Sequence, residues 1–225
     1  MTLVGVFMHR EGIEQLAAVA IALVGNRRRA LLGIAGPPGA GKSTLAEGLV
    51  EAIAAVQTAD WVAHVPMDGF HLADVQLERL GARDRKGAPD TFDVDGYAHL
   101  LRRLLEHPDQ PSYAPGFERI LEQPIAAAVV VPPSARLVVT EGNYLLLPEP
   151  RWEAARAQLT EVWHVHADDA ARQARLVDRH VAFGKDPAAA ARWVLESDEA
   201  NAALVSSASH RADRVIVNTG DGWVS

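Results

Sequence analysis

The sequence predicts an α/β protein with a mainly parallel sheet. Three observations carry that expectation. Five short apolar runs alternate with helical stretches along the 225 residues, the pattern of strand–helix units whose strands pair in parallel. A glycine-rich motif of the phosphate-binding kind stands between the first run and a helix. Polar residues follow the runs directly, at the carboxyl ends of strands, where ligands bind in open α/β sheets.

Residues 11–26 read as an amphipathic helix packed on the domain, because the apolar stretch Leu16–Gly25 is too short to span a bilayer and no cleavage-site pattern follows it. Leu31–Ala35 is the first buried strand. Gly36-Pro37-Pro38-Gly39-Ala40-Gly41-Lys42-Ser43 then completes a G-x-x-x-x-G-K-[ST] signature. Its glycines let the backbone turn tightly and point successive N–H groups inward. The start of the next helix adds its positive end, so phosphate oxygens are held by main chain. Lys42 supplies a point charge for the β- and γ-phosphates and Ser43 a hydroxyl for Mg²⁺. Thr44–Val56 follows as a helix, with Leu45, Leu49 and Ile53 one turn apart.

The second strand, Trp61–Pro66, ends in Met67-Asp68-Gly69-Phe70-His71. Residues 69–136 are less regular, rich in Pro, Gly and charge, and a long insertion here is a natural acceptor pocket. Within it, Tyr97–Glu106 is a clear helix with Leu100, Leu101, Leu104 and Leu105 on its apolar face. The third strand, Leu137–Thr140, ends in Glu141-Gly142-Asn143-Tyr144, and Val162–His166 is the fourth. Asp168 caps a helix over 168–180. Its Arg172, Arg175 and Arg179 share a face at i, i+3 and i, i+4 spacing, and residues 168–185 are expected to close over the phosphates as a lid. Asp186-Pro187 opens another helix, a cap followed by Pro at the first helical position. Val215–Val217 is the fifth strand.

Composition narrows the function. The chain has length for one domain, 1–225, with a large core. A net charge of −7 argues against a nucleic-acid partner, since no basic stripe is present to release counterions. The absence of cysteine excludes disulfides and thiol catalysis and fits a cytoplasmic enzyme with no membrane partner. Only Lys42, Lys86 and Lys185 are lysines in a chain that otherwise uses Arg, which marks Lys42, in the loop, and Lys86, in a second motif, as places where a compact charge is wanted; Lys185, in an Arg-rich stretch, reads as a solvated surface residue.

Phosphoryl transfer needs a phosphate cradle, Mg²⁺, a group that deprotonates or orients the acceptor hydroxyl, and positive charge for the transition state. Asp68, at a strand end beside Gly69, is the candidate base. Glu141, also at a strand end, is placed to meet Mg²⁺ through water, with Ser43. His164 and His166 share a strand face, but no third ligand is in sight and no zinc site is assigned. Asp93-Val94-Asp95-Gly96 fits the D-x-x-G pattern of GTPases, yet it ends no apolar strand and no N-K-x-D follows, so that reading is set aside.

The loop GPPGAGKST, the strand end PMDGFH, RKGAPDTFD (Arg85–Asp93), PSYAPGFER (Pro111–Arg119) and VVTEGNYLL together resemble the phosphoribulokinase/uridine kinase/pantothenate kinase superfamily. The nearest branch is the bacterial nucleoside/nucleotide kinase-like group that includes proteins named for fructose transport. The resemblance covers roughly residues 31–218. It implies a P-loop NTPase three-layer fold with a five-stranded parallel sheet in the order 2-3-1-4-5 and a lid. It implies ATP and Mg²⁺, with base contacts from Asn218-Thr219-Gly220, and allows a homodimer. By the resemblance, Asp68 matches the catalytic base and Glu141 the carboxylate near Mg²⁺. Asp90 and Asp93 fall where acceptor hydroxyls are met, Tyr113 lines the acceptor site, Arg175 and Arg179 are lid arginines, and Asn201 contacts the acceptor. Thr44 and Arg172 complete the nucleotide side; Phe70 and His71 stand with Asp68 on the acceptor side.

After the P-x-Y the chain reads Ala114-Pro115-Gly116-Phe117, unlike uridine or pantothenate kinases, so neither substrate is implied. Lys86 and Arg119 suit an anionic or polyhydroxy acceptor; Phe70, Phe92 and Phe117 suit stacking on a base or an apolar moiety. The leading expectation is an ATP-dependent kinase acting on a hydroxyl of a nucleoside, sugar or pantothenate-like metabolite. The alternatives are a regulatory P-loop switch without a small-molecule acceptor, and a dinucleotide-binding oxidoreductase. The wrong glycine spacing and an idle Lys42 count against the oxidoreductase.

Overall fold

In the computed structural model, which describes residues 10–225, the five apolar runs lie side by side as parallel strands. In chain order the elements are β1 (Arg10–Glu11), α1 (Ile13–Ala22), β2 (Ala30–Ala35), α2 (Lys42–Val56), β3 (Val62–His64), α3 (Asp74–Arg79), α4 (Val94–Glu106), β4 (Ser112–Glu118), β5 (Gln123–Val131), β6 (Leu137–Glu141), α5 (Pro150–Arg156), β7 (Glu161–Ala167), α6 (Asp169–Ala182), α7 (Pro187–Trp193), α8 (Glu199–Ser207), β8 (Arg214–Asn218) and β9 (Trp223–Val224). The parallel strands stand in the order β3-β6-β2-β7-β8, which is 2-3-1-4-5 of the sequence-predicted strands. Two short strands the sequence reading did not anticipate, β9 and β1, extend that edge antiparallel, so the sheet has seven strands.

Every residue of β2 is buried, as expected for a central strand covered on both faces. Alternate side chains serve two cores. Leu32 and Ile34 pack with Val139, Val165 and the buried faces of α1 and α2. Leu31 and Ala35 pack with Val138, Val162 and the buried faces of α4, α5 and α8. The result is three layers, helices on either side of one sheet.

The 69–136 segment is more ordered than its composition suggests. It contains α3, α4 and a separate two-stranded hairpin of β4 and β5. Arg29, just before β2, clamps this segment to the sheet. It is 3% exposed and donates to the carbonyls of Leu104, Pro108, Pro132 and Ala135 at 2.7–3.2 Å. Those acceptors replace the water a buried guanidinium loses.

Near the carboxyl end, α7 does not stop before α8. A π-helical turn, Val194–Asp198, joins them. Such turns change the phase of a helix and collect at functional sites.

Candidate active site

Strand register builds the site. Ile34 pairs with Glu141, and Gly142 N donates to Ile34 O at 3.0 Å, so the end of β6 lies beside the start of the glycine-rich loop. The ends of β3 and β6 are also locked together: Tyr97 donates to Thr140 Oγ1 at 2.7 Å, and Thr140 to Val65 O at 2.6 Å. Asp68 and Glu141 leave from those two ends and so share one cavity with the loop.

The loop, Gly36–Gly41, joins β2 to α2. Gly39 and Gly41 have φ of +76° and +98°, a region L side chains rarely adopt. A Cβ on Gly39 would come within 2.8 Å of Arg172 O and 2.9 Å of Leu176 Cγ. Arg172 and Arg175 brace the loop from outside, donating to Pro38 O and Gly39 O at 3.2 Å each. Asn218 donates to Ala40 O at 2.9 Å, bringing the segment after β8 against the loop. Thr44 is exposed on the first turn of α2.

Lys42 is 8% exposed and its ammonium folds back to donate to Pro37 O at 3.1 Å. Burial lowers its pKa to about 8, against the pull of Glu141 and Asp68. Ser43 Oγ donates to Glu141 Oε1 at 3.2 Å. Glu141 is 4% exposed, and burial, with Asp68 adding repulsion, pushes its carboxyl up to about 7. A buried ammonium and a buried carboxylate at the mouth of a glycine cradle fit a polyphosphate bound with a hard cation. The hydroxyl and carboxylate oxygens of Ser43 and Glu141 are the donors Mg²⁺ prefers, and few protein ligands are needed when phosphates supply the rest.

Asp68 sits on the short helical turn Met67–Phe70 after β3, with its side chain 30% exposed and Arg119 Nη2 3.5 Å away. Gly69 beside it makes the close approach of the hairpin possible, since a Cβ there would lie 2.2 Å from Pro115 O. His71 donates from Nδ1 to the Asp68 carbonyl at 2.7 Å. Its ring stands 4.0 Å from Phe92 and 4.9 Å from Phe117, centroid to centroid. Lys86 pairs with Asp74 at 2.7 Å and also donates to the Glu122 carbonyl.

Most of the sequence-predicted residues meet here. Pro38, Gly39, Lys42, Ser43, Asp68, His71, Lys86, Phe117, Arg119, Glu141, Arg179 and Asn201 line a single cavity of about 330 Å³. The other loop residues, Gly36, Pro37, Ala40 and Gly41, and the neighbouring Thr44 and Arg175 do not line it, Arg175 being turned to the Gly39 carbonyl, and five more predicted residues lie in other surroundings. Phe70 is 8% exposed and packs on Tyr97 in the core. Asp90 is held at the surface by a two-pronged pair with Arg85 at 2.9 Å. Asp93 caps α4, accepting from Gly96 N at 2.9 Å. Tyr113 is 59% exposed in a groove on the outer side of α4. Arg172, expected over the phosphates, is 1% exposed, and its guanidinium is bound to Asp169, Glu199 and the Pro38 carbonyl.

Sequence reasoning missed the far wall. His180, Lys185, Trp193 and Asp198 reach the cavity from α6 and the π-turn region. Lys185, which reads from the sequence as a solvated surface residue, lines the cavity instead. No motif marks the others: His180 and Trp193 sit in the ordinary helices α6 and α7, and the π turn that carries Asp198 leaves no sequence signature.

No protein-family profile matches the chain. A Schizosaccharomyces pombe protein provisionally named as a uridine kinase is 34% identical over 175 residues, 76% of this chain and 74% of that protein. An Aspergillus versicolor protein named as ATP-dependent kinase-like is 38% identical over 145 residues, 60% of this chain and 84% of its own length. The crystal structure of a protein from Silicibacter sp. TM1040, provisionally named as a fructose transport system kinase, superposes with a TM-score of 0.83 at 34% identity, covering 91% of this chain and 98% of that one.

Proposed function

Since the chain belongs to the uridine kinase-like family of P-loop kinases, we propose that it transfers the γ-phosphoryl group of ATP to an alcohol of a small metabolite. One arrangement carries this reading: Lys42, the Ser43–Glu141 pair and Asp68 open onto the same cavity, whose lining continues beyond the phosphate loop to Lys86, Phe117, Arg119 and Asn201. A nucleotide switch without an acceptor has no use for that further polar wall.

The loop N–H groups and Lys42 hold the phosphates. Ser43 and Glu141 would hold Mg²⁺, which when bound supplies charge neutralisation at the phosphate oxygens. Asp68 accepts the proton of the acceptor hydroxyl as its oxygen bonds to the γ-phosphorus. The bond from that phosphorus to the bridging oxygen breaks and ADP leaves. Arg179 and Lys42 oppose the negative charge of the transition state. Arg175 and Arg172 act one step back by fixing the loop.

Asp68→Asn tests the assignment. The variant is expected to bind an ATP analogue as the parent does and to lose acceptor-dependent ADP release by about 10²–10⁴-fold, the usual worth of a general base. Turnover near that of the parent would remove Asp68 from the role.

A further inference from the structure

The acceptor compartment differs from the rest of the molecule in charge. The chain carries a net −7, yet its acceptor wall is built around Arg83, Lys86 and Arg119, with Lys185 opposite. Asp74 is the single carboxylate shared by Arg83 and Lys86, at 2.7 Å from each, so that pairing leaves a positive charge in surplus. Arg119 is less satisfied still: among the described residues its one carboxylate contact, with Asp68, is 3.5 Å long. A guanidinium has five donors in a fixed fork, and most of this fork is left to the cavity.

Among the carboxylates that line the cavity, Asp68 and Glu141 belong to the proposed transfer machinery. Asp198 is paired with His180 Nε2 at 2.8 Å. Glu122 stands on the exposed hairpin turn between β4 and β5.

The aromatic rings do not offer the alternative the sequence left open. Phe117 is contacted by His71, and the Lys86 ammonium and the Arg119 guanidinium lie 5.6 and 6.0 Å from its centroid. Phe92 is 3% exposed and contacts His71, Tyr144 and Trp152. Trp193, on the far wall, carries the Lys185 ammonium 4.5 Å from its ring centroid. Phe117, Phe92 and Trp193 are engaged with cations or other rings, and Phe183, the remaining phenyl of the lining, is 49% exposed with no ring packed on it among the described residues, so no two rings pair as a slot for a planar base.

We infer that the phosphoryl acceptor carries an anionic group, a carboxylate or a phosphate monoester, which Arg119 grips beside the hydroxyl that faces Asp68. The inference rests on the kinase reading above and names its substrate class. Because Arg119 touches Asp68, the anion and the reacting hydroxyl belong to neighbouring parts of one small molecule. Arg83 and Lys86 supply the surrounding positive field, and a planar two-donor fork suits either oxyanion.

The test is ADP release with Mg-ATP against matched triplets: glycerol with glycerate and glycerol 3-phosphate, ribose with ribonate and ribose 5-phosphate, fructose with gluconate and fructose 6-phosphate, and uridine as a neutral nucleoside. The same compounds are titrated calorimetrically onto the protein saturated with a non-hydrolysable ATP analogue. The expected result is that one acid or phosphate exceeds its neutral partner in kcat/KM by about tenfold or more, the scale of one charge-assisted contact. Arg119→Gln collapses that ratio and Arg119→Lys restores part of it. The triplets also separate carboxylate from phosphate. A neutral acceptor used as well as its acid, with a ratio untouched by Arg119→Gln, overturns the inference and leaves the kinase reading standing. An anion that binds in the calorimeter, with affinity lost in Arg119→Gln, but never raises ADP release overturns the kinase reading and keeps the anion site. No anion binding and no turnover overturns both.

Discussion

Glu141 and Lys42 are the residues where burial and function meet most directly. The carboxylate sits near 7 and the ammonium near 8 because each has been taken out of water. Nucleotide binding needs the opposite of what burial favours: Glu141 ionised to meet a cation, Lys42 protonated to meet phosphate. Raising pH through about 7 removes the proton from Glu141 and strengthens Mg-ATP capture. Raising it further through about 8 discharges Lys42 and weakens capture. The expected profile of kcat/KM for ATP, which reports free-enzyme groups, is therefore a narrow bell between those limbs. Glu141→Gln should flatten its acid side, and a profile level across both limbs would contradict the assignment. These residues were legible in the sequence because the phosphate-loop signature fixes Lys42 and a strand end fixes Glu141. Asp90 and Asp93 were not, because a carboxylate in a loop looks the same whether it faces a ligand, pairs with Arg85 or caps α4.

At the scale of elements, the least visible device is Arg29. Nothing about a third arginine in Arg27-Arg28-Arg29 suggests that it is buried and spans α4, the end of β5 and the approach to β6 through four carbonyls. Arg29→Met keeps much of the volume but leaves those carbonyls without donors. It should lower unfolding free energy by about 3 kcal/mol, the sum of several modest buried hydrogen bonds, read by urea denaturation. A loss under about 0.5 kcal/mol would mean that water replaces the guanidinium readily. The helices themselves were well marked: Asp168 and Asp186 cap α6 and α7 by accepting from backbone N–H groups as their sequence context implied. The π turn and the β4–β5 hairpin were not. The hairpin's second strand, Gln123–Val131, is apolar but largely exposed, so it shows no half-buried alternation to mark it.

For the whole molecule, the cavity is a meeting place of distant segments: the loop after β2, the turns after β3 and β6, the hairpin, α6 and the π-turn region. A ligand that touches all of them stabilises the folded chain against the unfolded one. An ATP analogue with Mg²⁺ at a hundred times its dissociation constant should add about 2.7 kcal/mol, which for a chain of this size is about 5–10 °C in Tm. Lys42→Ala should erase most of that shift, and an equal shift in the variant would place the nucleotide elsewhere. Among the described residues no helix is long and apolar enough to cross a membrane. The sequence by itself determined the parallel α/β frame, the phosphate loop and the two carboxylates at strand ends, because periodicity, glycine spacing and strand-end position are local and leave a written pattern. Only the tertiary structure decided that Arg172 braces the loop, that Phe70 belongs to the core, and that Arg119, Lys86 and Lys185 face one cavity. Those outcomes depend on which side chains of remote segments compete for the same partner, and that competition exists only once the chain has folded.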